Sequence, residues 1–150
     1  MEQVSTFRLY VLRAAYLLVA VGLGVMIWPD LLRSPVGVEH MRGVVRALLG
    51  AVALLALLGL RYPLRMIPLL LFELAWKAIW ILAIGVPLQS AGALDAATRA
   101  SMFDCIFGVV ILMVAIPWGY VVRNYVRNAG DPWGRRSVAV AAAGSASGAP

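Results

Sequence analysis

The sequence predicts an all-α integral membrane protein, a four-helix bundle of antiparallel up-down topology with both termini cytoplasmic. Three observations predict it. Of 150 residues, 63% are hydrophobic and 13% charged, with a mean hydropathy of +0.89, against about 45–50% apolar and about 25% charged in soluble domains. Four apolar runs, residues 7–28, 43–60, 66–86 and 102–122, come close to or reach the roughly 20 residues a helix needs to cross a bilayer. The arginines also segregate: Arg8, Arg13, Arg61, Arg65, Arg123, Arg127, Arg135 and Arg136 fall on one side, against Arg33, Arg42, Arg46 and Arg99 on the other. The positive-inside bias then places both termini in the cytoplasm.

The first run begins after a polar start and closes at Trp28-Pro29-Asp30, where an aromatic anchor, a helix breaker and an acid arrive together. It is too long for a signal peptide, and Arg13 interrupts its first turns, so it reads as an uncleaved span. Residues 29–42, with two prolines and five ionisable side chains, read as a loop with room for a short interfacial helix. In the second run Gly43, Ala47 and Ala51 recur at four-residue spacing, a small-residue face suited to close helix packing within the chain or between copies. The basic turn Arg61-Tyr62-Pro63-Leu64-Arg65 is short enough to make the second and third spans antiparallel neighbours.

The third run tolerates Pro68 in its first turn and is expected to stop at Gly85-Val86-Pro87. A polar loop follows, in which Asp95 is placed to cap a short helix leading into the fourth span. Pro117 predicts a kink near that span's end. Trp28, Trp118, Tyr120 and Trp133 fall near span ends and read as an interfacial belt. Residues 1–137 thus make one membrane domain, and residues 138–150, small and uncharged, form an Ala/Gly/Ser tail expected to be disordered.

The net charge of +6 does not point to nucleic acid, because the arginines flank apolar runs and read as topology signals and contacts to anionic lipid headgroups. One cysteine, Cys105, excludes an internal disulfide, and one histidine, His40, excludes a His-rich metal site within one chain. His40 reads as an interfacial residue and Cys105 as a small packing residue. With no phosphate loop and no metal-ligand spacing, neither metal nor cofactor is expected, and catalysis has little support.

The unusual feature is the third run itself, which carries Glu73 and Lys77 four residues apart, on one helical face with Trp76 and Trp80 beside them. A charge at the centre of a span costs roughly 2.5–3.5 kcal/mol on insertion scales, so this face should look into the bundle. Arg13 in the first span lies at a similar depth, and a polar core of Arg13, Glu73 and Lys77, with Tyr10 or Tyr16 as hydrogen-bond partner, is expected. A second, outer pair between Arg46 and Asp104 is expected between spans two and four. The purely structural reading makes these contacts interhelical staples; the functional one makes Arg13, Glu73, Trp76, Lys77 and Trp80 a binding site.

The layout resembles the small four-span bacterial inner-membrane proteins of the DoxX-like group: a first span ending Trp28-Pro29, a second opened by Met41-Arg42-Gly43, and a short basic turn before the third. That resemblance implies a membrane-accessory or oxidoreductase-associated subunit in the bacterial inner membrane and supplies no catalytic residue. Small multidrug resistance transporters also have four spans and an intramembrane glutamate, but there the acid lies in the first span. The expected function is therefore a non-enzymatic small-ligand-binding or accessory module. Its expected partners are membrane lipids and either further copies of itself or a larger membrane complex. The alternative is an oligomeric transporter or channel subunit in which Glu73 couples to protons or ions.

Overall fold

The computed structural model describes residues 5–33 and 39–128. Among these there is no strand, and four helices are long and apolar enough to cross a membrane: α1 (Thr6–Leu32), α2 (His40–Arg61), α3 (Ile67–Ser90) and α4 (Ala96–Ala115). The chain is thus a multi-pass membrane protein. The expected tail, residues 138–150, and Trp133 lie outside the described residues.

Three prolines behave differently from one another, and each outcome has a local cause. α1 does not stop at Pro29 but continues for another turn to Leu32. A proline this close to a helix end forfeits one backbone bond only, and Asp30 and Leu31 beyond it find partners on α2. α3 likewise runs through Pro87, beyond its expected end at Val86, by opening into π-helix over Ile81–Gly85. The wider turn includes Ala83, whose carbonyl a proline at 87 would otherwise crowd. At Pro117 the helix breaks instead of kinking: Ile116 is extended (φ −69°, ψ 124°), as the residue before a proline prefers. α4 therefore ends at Ala115, and the Trp118 indole N–H donates to the Met113 carbonyl at 2.9 Å, capping an end acceptor.

α4 also starts earlier than expected. Asp95 caps the span itself, its Oδ1 accepting from Thr98 N–H at 2.8 Å. A second compact unit begins at Gly119; Trp118–Val121 is a single helical turn, followed by π-helix over Val122–Arg127.

α1 and α2 form the most extensive helix pair. The start of α1 meets the end of α2, where the buried Tyr16 hydroxyl donates to Pro63 O at 2.9 Å. At the opposite end Leu31 packs over Gly50. These contacts make the two helices antiparallel. The buried residues of α2 are Gly50, Val52, Ala53, Ala56 and Gly59, of which Gly50 and Gly59 meet α1 side chains. They are not the Gly43, Ala47, Ala51 stripe, of which Ala47 and Ala51 are exposed. Tyr16 decides between the two faces, since its large ring needs a gap on α2 and finds it at Gly59. α3 packs mainly on α4, and α4 also touches α1.

Gly59→Val would drive a Cβ into the Tyr16 ring, whereas Gly24 has nothing within 4 Å of the corresponding position. Unfolding midpoints in mixed SDS micelles should show Gly59→Val less stable by about 1–3 kcal/mol and Gly24→Ala near wild type. A second prediction concerns acid. Hydrogen bonding by Thr98, through its side chain and its backbone N–H, holds the Asp95 carboxyl below its ordinary value of 3.8. The cap's contribution is therefore complete above that value and is lost as pH falls through the lower folded-state value. Asp95→Asn should remove this acid-dependent fraying, read by amide exchange over residues 96–99.

Candidate functional site

Glu73 is the one charged residue buried among the described residues, at 1% exposure. It lies one and a half turns into α3, beside Leu69 and Leu70 in the core. One oxygen, Oε2, accepts from the Lys77 ammonium one turn further on. The ammonium in turn sits 4.1 Å from the centre of the Trp76 ring, a cation–π contact. Two side chains, Glu73 and Trp76, thus converge on the Lys77 nitrogen.

The lysine reaches this position because α4 makes way for it. Gly108 faces Lys77, and a Cβ at Gly108 would lie 2.8 Å from Lys77 Cε and 3.1 Å from Cδ. Cys105, one turn away on the same face of α4, is buried and free. Further along the seam Gly85 lies against Trp80 and Met102 of α4, whose nearest atoms would be 3.4 and 3.6 Å from a Cβ there, ordinary contact distances. Trp80 is half-buried but belongs to this outer part of the seam, next to the π-helical stretch.

The ion pair leaves two polar atoms unsatisfied. Glu73 Oε1 and Trp76 Nε1 are both buried without a hydrogen-bond partner. One is an acceptor and the other a donor, three residues apart on one helix face. Each such orphan costs about 1–3 kcal/mol, so the cluster is electrostatically paired yet incompletely hydrogen-bonded.

Two expected contacts are replaced. Arg13 does not pair with Glu73: its Nε donates to Leu60 O at 3.2 Å, and its guanidinium lies 5.8 Å from the Tyr10 ring centre. The carbonyl at the end of α2 has no helical partner, and α1 packs so that Arg13 faces it. Arg46 pairs with Asp30 at 3.1 Å, not with Asp104. Because α1 runs on through Pro29, Asp30 stands opposite Arg46, whereas Asp104 sits on the exposed side of α4. The Arg46–Asp30 pair borders a groove of about 390 Å³ that also takes in Glu39, His40, Gly43 and Ala47. Among the described residues no group of three or more His, Cys, Asp or Glu is placed to hold a metal ion.

Sequence reasoning missed Gly108 and Asp30. Gly108 carried one signal, a glycine in mid-span at a depth matching Lys77. Asp30 carried none, since Trp28-Pro29 marked it as loop. No protein-family model matches the chain, and neither a curated protein nor a solved structure shows significant similarity to it.

Removing one charge alone should be worse than removing both. Lys77→Met leaves Glu73 buried without a counter-charge, a loss of roughly 3–5 kcal/mol where a buried pair is broken. The double variant Glu73→Leu/Lys77→Met should regain much of that loss, measured as a double-mutant cycle of unfolding in mixed micelles.

Proposed function

We infer that this chain is a non-enzymatic binding or accessory module of the bacterial inner membrane, with both termini cytoplasmic. Its site is the Glu73–Trp76–Lys77 cluster at the α3–α4 seam. The carrying observation is the pair of unsatisfied atoms, Glu73 Oε1 and Trp76 Nε1. A hydroxyl both donates and accepts, so its chemistry matches an orphan acceptor and an orphan donor on one helix face. The Lys77 side chain is 13% exposed and Trp76 is half-buried, so these two side chains reach the surface of the chain while the orphan atoms lie beneath it. The ligand class that fits is a small hydroxyl-bearing molecule with an apolar body, taken from the membrane. The DoxX-like layout favours an accessory role beside other membrane proteins. Proton-coupled transport is the weaker reading, because Glu73 is 1% exposed and engaged by Lys77 on its own helix.

Trp76→Phe separates binding from stapling, since it deletes the indole N–H while keeping a ring over the Lys77 ammonium. In native mass spectrometry from mild detergent, wild type should retain a small molecule that Trp76→Phe and Glu73→Gln lose by about tenfold or more, about 1.4 kcal/mol, with Trp76→Phe still folded. A wild type that retains nothing, with Trp76→Phe equally or more stable, would make the cluster a structural staple or a site for buried water.

A further inference from the structure

A cluster of cations lies away from the Glu73 seam, at the end of the bundle where α1 begins and α2 turns into α3. Leu9, Arg13, Arg61, Tyr62, Pro63, Leu64 and Arg65 line a shallow, open cleft of about 270 Å³. Three of these residues are arginines, and no carboxylate among the described residues lines the cleft or pairs with them.

Tyr62 organises two of the guanidinium groups. Arg61 Nε donates to its hydroxyl at 3.1 Å, and the guanidinium carbons of Arg61 and Arg65 lie 5.6 and 5.9 Å from its ring centre. Arg13 is oriented separately, by its Nε bond to Leu60 O. In both Arg13 and Arg61 the nitrogen spent on the protein is Nε, so the terminal NH₂ groups remain as donors, and Arg65 makes no hydrogen bond to the described residues. A guanidinium presents its N–H groups as a planar fork that matches the oxygens of a phosphate. Three cations gathered in one cleft repel each other, and an anion seated among them reverses that penalty.

We propose that the Arg13–Arg61–Arg65 cleft is a binding site for a phosphate group, supplied by an anionic phospholipid at the membrane surface. The position favours a lipid source. The cleft lies at the ends of spanning helices, where headgroups lie, and Leu9 and Leu64 border the cations with the apolar surface that an acylated phosphate needs. A soluble phosphate offers the same oxygens without the acyl chains, so the two sources are separable.

The test reconstitutes the full chain in phosphatidylcholine nanodiscs containing a minor fraction of phosphatidylglycerol and counts, by native mass spectrometry after release, the lipids that remain bound. Arg61 and Arg65 are exposed, so Arg61→Gln/Arg65→Gln should stay folded. Arg42→Gln/Arg99→Gln, also exposed, removes the same charge elsewhere. Wild type and the Arg42/Arg99 control should retain phosphatidylglycerol in preference to phosphatidylcholine, and the Arg61/Arg65 variant should lose that preference by about tenfold or more. Arg13→Lys, which keeps the charge but not the fork, should weaken it to a smaller extent. In a parallel arm, delipidated protein is titrated with inorganic pyrophosphate. Binding there that vanishes in the Arg61/Arg65 variant supports the site with a soluble phosphate as its source. Absence of both preferences in wild type, or equal losses in the two double variants, overturns the proposal.

Discussion

A carboxylate buried at 1% exposure inside an apolar helix is the constraint on which the α3–α4 seam depends. Left unpaired, that charge would be untenable in hydrocarbon, so Lys77 must stay beside it. Lys77 in turn occupies space that Gly108 on α4 leaves open. Gly108, the Trp76 ring and the buried Cys105 are therefore arranged around an electrostatic requirement, not only around shape. Helix association in a membrane draws little from the hydrophobic effect, because lipid is as apolar as the core. A local ion pair with a matched gap on the neighbouring helix gives the seam a register that leucine packing would leave loose.

The α1–α2 pair solves the same problem differently. Its centre is steric: Leu31 packs over Gly50, and the Tyr16 ring fits over Gly59. Its ends are polar, with Arg13 on the Leu60 carbonyl and Tyr16 on the Pro63 carbonyl at one end, and Asp30 on Arg46 at the other. Backbone acceptors at the end of α2 lack helical partners, and side chains from α1 satisfy them. The outward faces of both helices remain apolar, with Leu17, Val21, Leu54 and Leu57 about half exposed, as suits contact with lipid. The arginines at the Tyr62 turn meet no acid among the described residues, which sets that end apart from the Asp30–Arg46 end.

Composition, run length and the Glu73–Lys77 spacing were enough to give the sequence an all-helical class, four spans and one charged face, because these follow from local chain chemistry and helical periodicity. Trp76 beside that face was legible for the same reason. What only the tertiary structure decided was which helix each charge meets and how each proline is accommodated. Arg13 went to a backbone carbonyl, and Arg46 went to an aspartate that only a helix continuing through Pro29 could present. The small-residue face of α2 that is buried proved to be the one opposite Tyr16. Partner choice depends on the relative rotation of helices, set jointly by all their contacts, whereas spacing along one helix reports only which residues share a face.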